Sequence, residues 1–521
     1  MSDDSPGVSR RTLLTTGGAA LLGAGAGVGG ALLWSHDHAP GVWYQPDRNG
    51  APPVGGLHLQ FGKDASTEVV VSWHTTDPVR NPRVMLGSPT SGFGRTFAAE
   101  TRTYRDAKSN TEVRVNHVRL TGLTPDTDYV YAAVHDGTDP EVGTVRTAPS
   151  GRKPLRFTSF GDQSTPTLSK LVDGKYINDH IGSPAAGDTT TAIERIAPLF
   201  NLVNGDLCYA NLAQDRIRTW SDWFDNNSRS ARYRPWMPAA GNHENELGNG
   251  PVGYGAYQTY FAVPDSGASP ELRGLWYSFT AGSVRVISLN NDDVAYQDGG
   301  NFYVHGYSGG EQRRWLEGEL AAARRDPAVD WVVVCMHQTA VSTAVRANGA
   351  DLGIRQQWLP LFDQYRVDLV VCGHEHHYER SHPLRGTMDT ETRTPIPVET
   401  PGDLIDTTRG TVHLVIGGGG TSKPTNEFYF PEPRCRVITG VGDFDASIGR
   451  KRPIYVVEDA PWSAFRDRDN PYGFMAFDVD PGQPGGNTSI KATHYAVTGP
   501  YGGVSMIEEF TLTKPRADKP A

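Results

Sequence analysis

Cysteine is scarce in this sequence, with four in 521 residues, too few for disulfides to organise a chain of this length. No two of them form a Cys-x-x-Cys pair, so the usual thiolate zinc site is excluded. Basic charge is also short. Lys and Arg number 49 against 59 Asp and Glu, a formal charge of -10. With no basic stripe to offset it, the chain repels a nucleic-acid backbone, and no nucleic-acid partner is expected. Internal repeats and long low-complexity tracts are missing, which excludes solenoid architectures.

What is present begins with a targeting pattern. Ser9, Arg10, Arg11, Thr12, Leu13 and Leu14 put paired arginines before an apolar, Gly/Ala-rich stretch that reaches about Leu33. This reads as a twin-arginine export signal, with residues 1–40 forming signal and spacer. The small residues at 17–31 weaken a stable spanning helix, so no membrane span is expected in the mature form. The expected location is extracellular, periplasmic or associated with the cell envelope.

Residues 41–150 read as a small β-sandwich. Short β segments are expected at 57–61, 68–74, 114–121, 128–135 and 142–147, separated by turn residues. The alternation of Val69, Val71 and Trp73 points Trp73 toward a core. Leu123-Thr124-Pro125-Asp126 followed by Tyr129 and Tyr131 looks like the corner turn of fibronectin type III modules, and Trp73 and Tyr129 are read as packing residues. Residues 150–154 form the linker. From 151 to 515 the pattern becomes that of a layered α/β domain. Apolar strands are expected at 155–160, 199–203, 284–289, 331–336, 367–371 and 412–416, and a helix at 311–325.

Ligands in such folds sit at the carboxyl ends of strands, and five motifs fall there: Gly161-Asp162-Gln163, Gly205-Asp206-Leu207-Cys208-Tyr209, Gly241-Asn242-His243-Glu244, the strand ending in His337, and Gly373-His374-Glu375-His376. They offer seven metal ligands: Asp162, Asp206, Tyr209, Asn242, His337, His374 and His376. Carboxylate, amide and phenolate oxygens mixed with imidazoles suit Fe, Mn or Zn. Cys208, Cys335 and Cys372 each lie within two residues of one of these ligands and are read as small buried core residues, since neighbours along a strand face opposite ways. The run Gly417-Gly418-Gly419-Gly420-Thr421-Ser422-Lys423 lacks the order of a nucleotide P-loop and reads as a turn approaching the metal cleft.

Gly205-Asp206-Leu207-Cys208-Tyr209-Ala210-Asn211 and Gly373-His374-Glu375-His376-His377-Tyr378-Glu379-Arg380-Ser381 resemble the purple acid phosphatases of the calcineurin-like metallophosphoesterase superfamily. The resemblance extends to the N-terminal sandwich and to a closing β hairpin around Tyr472-Gly473-Phe474 and Glu508-Glu509-Phe510, and it implies an α/β metallophosphoesterase domain of two mixed sheets flanked by helices over residues 151–515. It implies a ferric ion on Asp162, Tyr209 and His376, a divalent ion (Fe, Zn or Mn) on Asn242, His337 and His374, and Asp206 as bridge. It further implies hydrolysis of phosphate monoesters, with a metal-bound hydroxide attacking phosphorus and His243 contacting phosphate or protonating the leaving group. Glu244 is expected to orient its neighbours.

The family usually carries further histidines after the His337 motif, whereas residues 338–357 contain none. Arg346 and His377 are the candidate replacements as substrate contacts. Phosphodiesterase or phospholipase action on the same metals stays open, because pocket shape decides it. A non-enzymatic adhesion protein would account for the sandwich but not for the ligand set. Replacing Arg10 and Arg11 by Lys is expected to hold the protein in the cytoplasm, checked by cell fractionation; undiminished export would refute the signal.

Overall fold

The computed structural model describes residues 50–165, 171–172, 175–176, 182–297, 305–346, 348–447, 450–499 and 502–518. The arginine pair and the apolar stretch after it lie outside these residues. The N-terminal part is a β-sandwich of two four-stranded antiparallel sheets. One holds Gly55–Phe61, Val69–Thr75, Glu112–Leu120 and Glu100–Arg105; the other holds Gly92–Ala98, Arg83–Ser88, Asp128–Val134 and Glu141–Arg146. Val69, Val71 and Trp73 all face its core. Three strands, Arg83–Ser88, Gly92–Ala98 and Glu100–Arg105, were not expected. The last two are largely exposed, so polar residues occupy most positions and no apolar alternation marks them. Tyr129 does more than pack: its hydroxyl accepts a 2.8 Å hydrogen bond from the Thr124 amide, pinning the corner that precedes its strand.

The remainder is built on two seven-stranded mixed sheets. The first runs Trp236–Pro238, Phe200–Val203, Leu155–Phe160, Gly473–Asp480, Asn487–Gly499, Gly503–Pro515 and Leu404–Asp406. The second runs Tyr277–Ala281, Val284–Ser288, Trp331–Cys335, Leu369–Cys372, Val412–Ile416, Tyr378–Ser381 and Ser463–Arg466. Phe157, Phe200 and Phe477 from the first sheet share one buried core with Val286, Val333, Val371 and Leu414 from the second, as expected for apolar faces packed against each other. The outer face of the second sheet is covered by the helix Glu311–Arg325, through Leu316 and Leu320, and by Trp358 and Phe362. The C-terminal strand Gly473–Asp480 pairs antiparallel with Leu155–Phe160. The end of the chain therefore holds the strand that delivers Asp162. Cys208, Cys335 and Cys372 are buried and unbridged, as is Cys435.

The sandwich is fused to this layered body through its first sheet. His117 donates from Nε2 to the Thr259 carbonyl at 2.9 Å and takes the Ser72 hydroxyl at Nδ1, 2.8 Å away. His74 packs against Phe224 and Tyr260. Burial, with the charge of Arg102 next for His117, pushes the pKa of His117 down to about 3; burial, with His58 next, pushes that of His74 down to about 4. Both groups are thus held neutral in the folded state. The unfolded chain protonates them below its ordinary 6.5, so their full stability is present above 6.5 and is lost as pH falls toward 4 and 3. Each proton so refused is expected to add about 1.4 kcal/mol of stability loss per pH unit across that window. Denaturant melts of His117→Gln should show a shallower decline between pH 6.5 and 4 than the parent protein, at unchanged stability slope above pH 7.

Candidate metal centre

The loops that carry the seven expected ligands leave the same edge of both sheets. Asp162 follows Leu155–Phe160, Asp206 and Tyr209 follow Phe200–Val203, and Asn242 follows Trp236–Pro238, all in the first sheet. His337 follows Trp331–Cys335, and His374 and His376 follow Leu369–Cys372, adjacent strands of the second. Oxygen donors therefore come from one sheet and imidazoles from the other. The turns are abrupt. Asp162, Asp206, Tyr209 and His374 have φ of 56°, 52°, 58° and 73°, a left-handed backbone that costs a non-glycine residue of order 1 kcal/mol or more. Two glycines permit the approach of the sheets. A Cβ on Gly205, whose φ is 82°, would meet His337 Nδ1 at 2.7 Å, and one on Gly373 would meet Asp162 Oδ2 at 2.4 Å.

The donors converge as two groups. The Tyr209 hydroxyl lies 3.2 Å from Asp162 Oδ1 and 3.1 Å from His376 Nε2. His337 Nε2 lies 3.0 Å from Asp206 Oδ2, 2.9 Å from Asn242 Oδ1 and 3.1 Å from His374 Nδ1. Ligand atoms of Asp206, His337 and His374 all fall within 4.8 Å of one another. Outer partners fix the rings. His337 Nδ1 donates to the Asn204 carbonyl at 2.7 Å and His376 Nδ1 to the Lys423 carbonyl at 2.6 Å. A carbonyl can only accept, so both rings keep the Nε2 lone pair for the site.

Two features show that the residues fit metal cations. Asp162 and Asp206 are buried, and among the described residues their ion-pair partners are imidazoles rather than Lys or Arg, so a compensating cation is called for. Burial pulls His337 down, yet the charge and hydrogen bond of Asp206 and the charge of Asp162 overcome it and push its pKa up to about 10. Burial opposes ionisation of Asp206, but His337 and His243 hold it well below the usual carboxylate range. That electrostatic well suits a cation, and metal uptake would release protons.

Glu244 orients the strand ends, as expected. It accepts three 2.8 Å hydrogen bonds from the amides of Gly241, Asp206 and Leu207, while burial and then Asp206 push its pKa up to about 8. The glycine run also behaves as expected: Gly419 donates to Gly161 at 2.9 Å and Thr421 to the Asp162 carbonyl at 3.1 Å.

The site opens into a cleft of about 580 Å³. His243 reaches it with 21% of its side chain exposed; its Nδ1 faces Asn211 Oδ1 at 2.9 Å and its Nε2 lies 4.0 Å from Asp206 Oδ2. The two candidate substrate contacts are not brought there. His377 is buried, held by Thr425 at 2.8 Å and Glu379 at 3.0 Å and tilted against Tyr429. It lies in the bend between Leu369–Cys372 and Tyr378–Ser381, where these partners turn it away from the cleft. The Arg346 guanidinium instead lies over the Phe428 ring, 5.5 Å from its centroid. The cleft is lined by Gln297, Asn348, Lys423, Leu212, Leu247 and Tyr455, none of which sequence reasoning had singled out. Lys423 closes the quoted glycine run and Asn211 and Leu212 follow the Tyr209 motif, so their one signal was adjacency to a motif. Tyr455 comes from the long hairpin of Arg434–Asp459, which no motif marks.

Two strand-end sheets that converge on a dinuclear-type donor set define the calcineurin-like phosphoesterase class, and the family model of that description matches residues 164–378. The model described as the N-terminal domain of purple acid phosphatases matches residues 54–147. The chain belongs to the purple acid phosphatase family and is a metal-dependent phosphoesterase. An uncharacterized protein of Mycobacterium tuberculosis is 81% identical over 516 residues, covering 98% of each chain. A purple acid phosphatase of Glycine max is 28% identical over 333 residues, 62% of this chain and 65% of that one. Among solved structures, a purple acid phosphatase from yellow lupin (Lupinus luteus) superposes with a TM-score of 0.62 at 20% identity, covering 88% of this chain and 74% of that one. At that identity the likeness speaks to the fold.

Proposed function

We propose that the protein is an exported acid phosphatase that hydrolyses phosphate monoesters at a centre of one ferric and one divalent ion. The observation that carries this reading is the Tyr209 hydroxyl wedged between Asp162 and His376, a phenol that burial, then Asp162, holds far above its ordinary pKa, so that only a strongly acidic cation would ionise it. Asp162, Tyr209 and His376 would hold that ion; Asn242, His337 and His374 would hold the divalent one, with Asp206 between them. The two ions would polarise the ester and supply a nucleophile at mild pH.

The chain's own residues do the rest. Asn211 fixes the His243 ring so that Nε2 faces the cleft, where it is able to pass a proton to the leaving oxygen. Lys423 offers an ammonium to the anionic substrate, and Leu212, Leu247 and Tyr455 wall in the leaving group. One observation favours phosphodiesters as a second reading: residues 338–357 bring Asn348 rather than histidine to the cleft, and the lining Arg216 is engaged by Asp106 and Glu246. A monoanionic diester needs less positive charge than a dianionic monoester. Turnover of aryl monoesters, alkyl monoesters and diesters by one metal-analysed sample separates the two readings.

Iron-loaded protein is expected to show a visible charge-transfer band from the Tyr209 phenolate, and Tyr209→Phe to abolish it with the melting temperature little changed. An iron-loaded parent without such a band would sink the tyrosine assignment. For His243→Ala, turnover of alkyl monoesters should fall 10²- to 10⁴-fold, the usual worth of a general acid, and that of activated aryl esters much less. Because burial first of all lowers the pKa of His243 below its ordinary 6.5, its protonated form is lost as pH rises. Alkyl-ester turnover should therefore decline with rising pH more steeply than aryl-ester turnover, measured as paired pH profiles at fixed metal content.

A further inference from the structure

His337 and His376 are each held by a backbone carbonyl, but His374 is not. Its Nε2 faces the side-chain oxygen of Gln297 at 2.5 Å. The Gln297 amide nitrogen donates to Asn348 Oδ1 at 2.9 Å, and Asn348 Nδ2 donates to the backbone carbonyl of His374 itself at 3.1 Å. The three groups close a ring of hydrogen bonds that starts and ends on one residue.

We infer that Gln297, oriented by Asn348, is the positioning residue that locks His374 in the tautomer presenting Nδ1 to the divalent metal. The logic runs one way because a backbone carbonyl only accepts. The His374 carbonyl requires the NH2 of Asn348 to face it, which leaves Asn348 Oδ1 to accept. Gln297 must then turn its NH2 toward Asn348 and its oxygen toward His374, so His374 Nε2 carries the proton. The remaining lone pair, on Nδ1, points at His337 Nε2 and the shared site. The opposite tautomer would force two amide flips and set the Asn348 oxygen against the His374 carbonyl.

The lock is anchored from a distant part of the chain. The Gln297 backbone N–H donates to Asp351 Oδ2 at 2.9 Å, and the other oxygen of Asp351 accepts from the Gly353 backbone N–H at 2.8 Å at the start of the helix Leu352–Gln357. Gln297 is buried. Asn348 lies in the stretch without histidines, so the side chains supplied there secure a metal ligand, with Gln297's oxygen and one of its N–H groups already used. The inference rests on the metal-centre reading, and does not depend on iron or on monoesters.

The test uses full-length protein and Zn(II) as the probe, titrated against a chromogenic chelator so that the two sites are read separately from turnover. Gln297→Leu is expected to weaken one site 10- to 100-fold, the usual effect of losing an outer partner to a metal-bound histidine, and to leave the other within twofold. Gln297→Glu, which still accepts from Nε2, should restore affinity to within a few-fold of the parent. Unchanged affinities in Gln297→Leu, equal weakening of both sites, or a Glu variant as weak as the Leu variant would each overturn the proposal. Ring nitrogen NMR of the Zn-loaded parent, assigned with His374→Gln, provides a check free of folding defects. It should find the proton on Nε2 and the metal on Nδ1, and the reverse arrangement would likewise refute it.

Discussion

Asn204 is the contact on which the centre depends. Fully buried at the end of Phe200–Val203, it accepts from Ser159 Oγ of its own sheet at 2.9 Å and donates to the Cys372 carbonyl of the opposite sheet at 3.1 Å. Its own carbonyl takes the Nδ1 proton of His337 at 2.7 Å. One residue thus joins the strand ends of the two sheets and sets the orientation of a ligand ring. With every polar group of Asn204 engaged away from water, an apolar substitute would leave buried donors and acceptors unpaired in both sheets.

The consequence is a division of labour between layers. Oxygen donors ride on the first sheet and imidazoles on the second, so neither sheet holds a complete site alone. The site forms when the apolar faces carrying Phe157, Phe200, Val333 and Val371 close on each other. Folding and metal affinity are coupled for that reason, as the unfolded chain has no preformed cluster. The strained φ values at Asp162, Asp206, Tyr209 and His374 are held by the same closure. Glu244 gathers three amides at the Asp206 and Asn242 turns, and the Gly419 and Thr421 amides tether the Asp162 loop.

Around this rigid centre the cleft wall is assembled from pieces remote in sequence. The segment containing Gln297, the stretch containing Asn348, the end of the glycine run at Lys423 and the hairpin of Arg434–Asp459 meet there. Gln297 and Asn348 among them hold His374, whereas the side chains of Lys423 and Tyr455 line the wall, the kind of position where a scaffold places its binding groups.

The sequence by itself determined the succession of a β-sandwich and a layered α/β domain, and the seven ligand candidates. Each ligand sits where an apolar strand stops, and Trp331–Cys335 or Leu369–Cys372 is legible because a strand buried on both faces reads as a continuous apolar run. It did not reveal the solvent-facing strands Gly92–Ala98 and Glu100–Arg105, whose polar composition leaves no period. It favoured His377 and Arg346 because sequence proximity to a ligand cannot say which way a side chain points; the bend before Tyr378–Ser381 turned His377 toward Glu379, and Phe428 took Arg346. The ring from His374 through Gln297 and Asn348 was decided by the tertiary structure alone. Its members lie 51 and 26 residues apart along the chain, and an amide's role is set by which carbonyl it meets, a fact that exists only once the chain has closed around it.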